Sequence, residues 1–436
     1  MAILGQEVPK EFDDIYAGIT GLLERNKENP DTRALNAWLT VCKGLVEGLL
    51  QAAGAGAPMM YANLGNTPEL IMALGDGKVV PLGFEALGGL QGWFGNNQHN
   101  MDVIDLVEAS GLAADVCSAD KLALGYMLKK LTPPPVGAVF VNTPCDNQMV
   151  AAGGVKALTG VETFIVDIPY NTGDREIRFV AGQLKDQIKY MERMTGKKLD
   201  WDRLKAICEE SNRMVELLLE WSEWRKKTPC PQMSKIVTFG FIILNTLSGT
   251  SAGTWLASEL LEDAKERVQA GKKAVPGEEK VRAVWFHDPI WWNLPFYDWM
   301  EEELGMVVPM DLFGYLTSEA YIDTSSSATI LYSLARKLSR VMPMSRQFKG
   351  AAEVYIDDLI SVVHEFRADC AIFAGHLGCK HAWGLIGLLK EALREADIPL
   401  LSFAYDMFDP RVTSEETLKE EFRRFTNDIM LPRKSR

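Results

Sequence analysis

Val139-Phe140-Val141-Asn142-Thr143-Pro144-Cys145-Asp146-Asn147-Gln148 is the stretch that decides how the chain is read. The small apolar run from Gly137 to Val141 reads as a buried strand, and Pro144 stops it. Cys145 therefore stands where a strand gives way to a loop, and in open α/β sheets ligands collect outside the carboxyl ends of strands. Far downstream, Cys370-Ala371-Ile372-Phe373-Ala374-Gly375-His376-Leu377-Gly378-Cys379-Lys380 repeats the arrangement, a short apolar strand running into a glycine-flanked loop that carries Cys379. Two thiols delivered by similar strand ends point to one site shared by two domains.

Working outward from Cys145, a helix over about Met149–Leu158 and a strand over Glu162–Ile168 complete a strand–helix–strand unit, which implies a parallel sheet. Upstream, Pro58–Tyr61 and Val79–Leu82 read as strands, with a helix start at Asn66-Thr67-Pro68-Glu69, Thr67 as cap and Pro68 in the first turn. Gly83 to Asn100, rich in glycine and asparagine, reads as a loop, and Met101–Ala109 and Asp120–Leu131 read as helices. From Glu176 to about Lys272 the pattern is helical, with Glu209, Glu210, Arg213, Glu216 and Glu220 outward and Leu217, Leu218 and Leu219 inward. A second α/β unit follows, with strands at Val281–Phe286, Val307–Leu312, Cys370–Ala374 and Pro399–Tyr405 and a helix at Ala382–Ala396. The expected fold is α/β, with two Rossmann/flavodoxin-like parallel-sheet domains joined to helical N-terminal and connecting segments. The divisions are N-terminal helices in 1–55, a first α/β domain in 56–175 with Cys117 and Cys145, and a helical segment in 176–272. A second α/β domain with Cys379 covers 280–410, and a C-terminal helix and basic tail cover 411–436.

With 436 residues, 47% of them hydrophobic and 24% charged, the chain has material for more than one domain with a sizeable core. A formal net charge of -13 argues against nucleic acid or an anionic membrane surface as the main partner. The first residues lack the basic and apolar regions of a secretory signal, and no apolar run reaches transmembrane length, so the reading is cytoplasmic.

Seven cysteines, an odd number with no CxxC pair, suggest neither a disulfide framework nor a zinc ribbon. Cys42, Cys208 and Cys370 sit inside apolar patterns and read as core; Cys230, between two prolines, is ambiguous. Cys117, in Asp115-Val116-Cys117-Ser118, falls at a helix start, where a thiolate is favoured. Cys117, Cys145 and Cys379 thus occupy equivalent places, which favours a thiolate-ligated metal centre. Three ligands with no nearby histidine pattern suit an iron–sulfur cluster with one open iron better than structural zinc, which wants four. His376 and His381 flank Cys379, and each is either a proton or hydrogen-bond donor to the site or a loop histidine satisfied locally. His99 and Glu85 are further pocket candidates, as are His287 and Asp288 before Trp291 and Trp292, where aromatic core packing is an equal alternative. Lys121, Lys129 and Lys130 are the available cations for a phosphate-bearing ligand, or a solvated helix face.

Asp115-Val116-Cys117-Ser118, Asn142-Thr143-Pro144-Cys145-Asp146 and Gly375-His376-Leu377-Gly378-Cys379-Lys380 resemble the three cluster-ligand motifs of the 2-hydroxyacyl-CoA dehydratase/benzoyl-CoA reductase family. So do the stretches Ile165-Val166-Asp167-Ile168-Pro169-Tyr170-Asn171 and Thr195-Gly196-Lys197-Lys198-Leu199, and the likeness covers roughly residues 60 to 410. The resemblance implies two flavodoxin-like domains with a [4Fe-4S] cluster between them on Cys117, Cys145 and Cys379. Its fourth iron site would be open to water or to a thioester carbonyl. It also implies an acyl-CoA substrate, a homologous second subunit and a separate ATP-hydrolysing [4Fe-4S] activator that delivers one low-potential electron. The absence of a GxxxxGK[ST] stretch agrees with ATP being handled elsewhere. The implied chemistry is one-electron reduction of the thioester to a ketyl radical anion. In the dehydratase branch the ketyl expels the 2-hydroxyl, and (R)-2-hydroxyacyl-CoA becomes 2-enoyl-CoA; in the benzoyl-CoA reductase branch the electron enters an aromatic ring. Two places depart from the dehydratase pattern: His376-Leu377-Gly378-Cys379-Lys380 stands where Asn-Arg-Ser-Cys-Lys is usual, and Ser118-Ala119-Asp120-Lys121 where Ser/Gly-Tyr-x-Arg is usual. Dehydration is favoured slightly over ring reduction, and a non-catalytic electron-transfer subunit is the reading from another class. A cysteine hydrolase with Cys145 as nucleophile leaves three matched cysteines unexplained and lacks a paired histidine.

Overall fold

The computed structural model describes residues 2, 3, 6–349 and 352–434, so the last two residues of the expected basic tail lie outside it. A short antiparallel ribbon of β1 (Ala2–Ile3) and β2 (Gln6–Glu7) precedes helices α1 (Lys10–Asn26) and α2 (Arg33–Gly54). The first sheet contains β3 (Met59–Ala62), β4 (Val80–Leu82), β5 (Gly137–Val141) and β6 (Thr163–Val166), all parallel, in the order β4-β3-β5-β6. The second contains β7 (Val281–Phe286), β8 (Met306–Asp311), β9 (Cys370–His376) and β10 (Leu400–Tyr405), also parallel, in the order β8-β7-β9-β10. Numbered by chain order within each sheet, both therefore read 2-1-3-4. The fold is a two-domain parallel-sheet α/β architecture, and Cys145 and Cys379 each follow the third strand of a sheet. These third strands are central and fully buried, as their unbroken apolar sequences require.

The crossovers of the first sheet are α3 (Pro68–Met72), α4 (Phe84–Phe94), α5 (Asn97–Ala109), α6 (Ser118–Leu128) and α7 (Asn147–Thr159). The stretch expected to be a loop over Gly83–Asn100 is thus mostly helix, and this corrects the sequence reading. Its glycines serve close packing rather than a turn: a Cβ at Gly88 would lie 2.5 Å from the Leu122 side chain, and one at Gly92 would lie 2.9 Å from the Trp291 carbonyl oxygen. The propensity cost of glycine in a helix, about 1 kcal/mol each, is offset by burial of the face they keep slim.

The segment between the sheets is helical as expected, with α8 (Asp174–Thr195), α9 (Trp201–Arg225), α10 (Val237–Thr246) and α11 (Ser251–Gln269). Consecutive leucines cannot share one helix face, and of Leu217, Leu218 and Leu219 only Leu218 is fully buried. The α9 C-terminus is tied to the second sheet by buried Arg225, which donates to the carbonyls of Pro309 (2.8 Å) and Val308 (2.9 Å). Around that sheet run α12 (Pro295–Leu304), α14 (Pro343–Phe348) and α15 (Ala352–Glu365), whereas α13 (Ser327–Arg336) packs on α8 and buries its apolar face in the core of the first sheet. They are followed by α16 (Lys380–Gly384), α17 (Ile386–Glu395) and α18 (Glu415–Arg424). One continuous apolar cluster includes Phe140 of β5, Phe239 and Phe241 of α10, and Phe286 and Phe373 of the second sheet. The two sheets therefore share a core, and the covered space between their carboxyl ends is where the site lies. Among the described residues no helix is long and apolar enough to cross a membrane.

Close packing makes a testable demand at Gly18 of α1, where a Cβ would fall on the Phe94 carbonyl at the end of α4. Intrinsic propensity favours Gly18→Ala by about 1 kcal/mol, but a backbone carbonyl cannot rotate away as a side chain can. The net expectation is destabilisation by about 1–3 kcal/mol, read as a lower urea midpoint; an unchanged or higher midpoint would show that α1 is free to shift.

Candidate functional site

Three chain segments bring the thiols together, and each ends at a helix start. Cys117 is the N-cap of α6, Cys379 is the N-cap of α16, and Cys145 lies two residues before α7. Unsatisfied amides and the positive end of the helix dipole favour a thiolate in such places. Cys145 and Cys379 are buried and Cys117 partly so; all three are free thiols on the wall of one cavity. The Cys379 thiol hydrogen-bonds to Cys145, which holds Cys145 below the usual thiol range and pushes Cys379 up. Burial, the nearby Asp120 and Cys145 push the Cys117 thiol up.

Contacts across the cavity fix the spacing. Asn147 Nδ2 donates to the Gly378 carbonyl (2.7 Å), joining the start of α7 to the Cys379 loop. Ser118 Oγ donates to Asp406 Oδ1 (2.6 Å), joining α6 to the loop after β10, and an ion pair between Lys380 and Asp115 (2.9 Å) spans the outside. Gly378 is required here: a Cβ would lie 2.7 Å from the Cys117 Cα and 2.6 Å from His376 Nε2.

Among the described residues no three His, Cys, Asp or Glu side chains close round a single ion. Three thiols from three chain segments on one cavity wall instead suit a group that several thiolates share, and an all-thiol donor set suits iron–sulfur chemistry. The donor set therefore fits a cluster.

The sequence candidates divide. Glu85, on the first turn of α4, lines the cavity and is buried; burial raises its carboxyl to about 7, while a hydrogen bond from Tyr61 Oη (2.7 Å) pulls the other way. His376, at the end of β9, also lines the cavity and is wholly buried. The Met407 amide donates to its Nδ1 (3.3 Å), its Nε2 has no partner, and burial keeps its ring below the usual histidine value. His99 is elsewhere: it sits on α5, pairs with Asp14 of α1 at 2.8 Å, and is not part of the cavity wall. His287 and Asp288 do face the cavity, and Asp288 is raised to about 7 by burial. His287 has φ 82, a left-handed conformation uncommon for a non-glycine residue. His381 is half-buried beside Phe348. Lys121 is committed to Glu108 and the Ala114 carbonyl, both at 2.6 Å, and Lys129 to Glu11 at 2.6 Å, so neither is left over for a phosphate.

Sequence reading missed a buried polar chain behind the thiols. Asn63 Nδ2 donates to Gln148 Oε1 (2.5 Å), and Gln148 Nε2 donates to Asp120 Oδ1 (3.1 Å). Burial and the Cys145 and Glu85 charges push the Asp120 carboxyl well up. The available signal was the helix start itself, where Asp120 follows Cys117 by one turn; Asn63, 85 residues from Gln148, gave none. Also missed was the aromatic wall, in which Trp93 of α4 stacks on Trp291 at 4.7 Å and 21°.

The family model described as 2-hydroxyglutaryl-CoA dehydratase, D-component, matches residues 66–429. The chain is 24% identical to the (R)-phenyllactyl-CoA dehydratase alpha subunit of Clostridium sporogenes, over 94% of this chain and 99% of that one. It is 21% identical to the lactoyl-CoA dehydratase subunit alpha of Anaerotignum propionicum, over 80% and 85%. It is also 24% identical to a subunit of the benzoyl-CoA reductase of Thauera aromatica, over 72% and 76%.

Proposed function

Because the chain belongs to the 2-hydroxyglutaryl-CoA dehydratase D-component family, matched over residues 66–429, we propose that it is the cluster-bearing catalytic subunit of an acyl-CoA enzyme. Its reaction is dehydration of an (R)-2-hydroxyacyl-CoA to the 2-enoyl-CoA. The observation that carries this is the convergence of Cys117, Cys145 and Cys379, from two matched strand ends and one helix start, on a single cavity. A [4Fe-4S] cluster held by these thiolates supplies one-electron transfer and, at its iron without a protein ligand, a Lewis acid for the thioester carbonyl. Cytoplasmic working, a homologous second subunit and an ATP-hydrolysing activator with its own [4Fe-4S] cluster belong to the same reading.

The chain's own residues have definable tasks in it. The aromatic wall excludes water from the reacting carbons. Glu85, whose carboxyl lies near 7, is able to hold a proton at neutral pH and to give it to the departing hydroxyl. His376, neutral and with Nδ1 accepting from the Met407 amide, carries its proton on the unpartnered Nε2, which is able to donate a hydrogen bond that orients the substrate. The relative from Thauera aromatica supports reduction of an aromatic acyl-CoA as the second reading. Product analysis separates the two, since water loss leaves a 2-enoyl thioester and ring reduction leaves a cyclic diene.

Anaerobic iron and sulfide analysis with EPR of the reduced protein tests the cluster. About four irons per chain are expected for the wild type, with loss in Cys117→Ala, Cys145→Ala and Cys379→Ala and retention in Cys208→Ala. Cys208 is buried in α9, away from the cavity, and serves as the packing control. A folded wild type that holds no iron after anaerobic preparation and reconstitution would sink the reading.

A further inference from the structure

A second cavity adjoins the one that holds the thiols. It shares Leu45, Leu64, Ala86, Leu90, Asn245 and Thr246 with the wall of the thiol cavity. Gly44 and Gly48, one turn apart on α2, line its outer end and are exposed, so the space opens to solvent there. The thiol cavity itself is an aromatic slot. Trp93 and Trp291 stack, Phe241 lies 6.1 Å from Trp291, Phe408 stacks on the same ring, and Trp38 stands edge-on to Trp93 at 5.5 Å.

Charge sets the second condition. Among the described residues lining the two cavities there is no lysine or arginine. Of the charged types present, Glu85 and Asp288 are acids, and the buried His287 and His376 are both held below the usual histidine value, so they supply no cation. A carboxylate on the acyl group would enter an apolar, aromatic-walled space without a counter-charge. A short acyl group would enter without steric penalty but would leave the ring faces without contacts.

We infer that the joined cavities select the thioester of a bulky, apolar and uncharged acyl group, aryl or branched alkyl, and discriminate against dicarboxylic and short acyl groups. This rests on the acyl-CoA reading above and names its substrate class. The aromatic slot takes the hydrocarbon end beside the thiols, and Ala86, on the wall common to both spaces, sets the width through which the ligand extends.

Isothermal titration of the anaerobically purified, iron-loaded full chain with unreactive thioesters lacking the 2-hydroxyl tests it. The panel is 3-phenylpropanoyl-CoA, 4-methylpentanoyl-CoA, propanoyl-CoA and glutaryl-CoA. The first two are expected to bind about tenfold or more tightly than propanoyl-CoA, with glutaryl-CoA the weakest. Ala86→Phe is expected to weaken all four at unchanged iron content, because each carries the same CoA arm through that junction. If that variant fails to fold, Gly48→Leu, which enters open space, is expected to weaken all four. Equal affinities across the panel, or tightest binding of glutaryl-CoA, would overturn the selectivity and leave the acyl-CoA reading standing. No binding of any thioester to folded, iron-loaded protein would overturn that reading and this inference together.

Discussion

Glu85→Gln lowers turnover by about 10²–10⁴-fold and leaves iron content and thioester affinity near wild type. The amide keeps the size of the side chain and an oxygen to accept the Tyr61 hydrogen bond of 2.7 Å, but it neither gives nor takes a proton. A merely structural role predicts something else, and the pH dependence of stability separates the two. The Glu85 carboxyl moves from about 4.5 to about 7 on folding because burial outweighs the Tyr61 hydrogen bond. The folded state therefore holds a proton that the unfolded state has released between those two values, and stability falls as pH rises through that window. Above it, the buried carboxylate costs about 3 kcal/mol at most. The amide carries no such cost, so the variant should unfold at higher denaturant than wild type at pH 8 and lose the slope that Glu85 contributes between about pH 4.5 and 7. Lost turnover with gained alkaline stability marks a group kept for chemistry at the expense of the fold. Wild-type turnover in the variant would remove Glu85 from the reaction.

Lys337→Met has the largest expected effect on stability, about 3–5 kcal/mol. Lys337 Nζ lies 2.5 Å from Glu69 Oε1, and both side chains are buried. Ser211 Oγ donates to the same carboxylate oxygen (3.1 Å), and Lys337 Nζ donates to Ser248 Oγ (3.1 Å). The pair pins α3 of the first sheet and α9 to a π-helical turn, Lys337–Val341, that continues α13. Removing the ammonium strands a carboxylate that has no other cation bonded to it and whose Oε2 already lacks a partner. The double variant Lys337→Met/Glu69→Leu should recover much of the loss, since an apolar pair of similar size avoids the desolvation of both charges. Urea unfolding of the single and double variants is the measurement; a single variant within about 1 kcal/mol of wild type would mean that water reaches the pair.

Much of the site was legible because its signals are local. A strand is written in an apolar run, a strand end in Pro144, and a helix start in Asp115-Val116-Cys117-Ser118, so Cys117, Cys145 and Cys379 could be picked out by their settings. The loop assigned to Gly83–Asn100 failed for the complementary reason. Its glycines answer to Leu122 and Trp291, which are distant in sequence, and a local reading takes glycine as a breaker.

By itself, then, the sequence determined the α/β class, the repeated strand-to-cysteine arrangement and the family resemblance, since each depends on residues within one or two turns or strands. Only the tertiary structure decided that both sheets run 2-1-3-4, that their third strands bring Cys145 and Cys379 into hydrogen-bonding contact, and that His99 faces Asp14 instead of the cavity. It alone shows a cavity walled by aromatic rings and, among the described residues, free of lysine and arginine. Burial and proximity are properties of pairs far apart in the chain, and they set the carboxyl of Glu85 near 7 where its neighbours in sequence would leave it an ordinary surface acid.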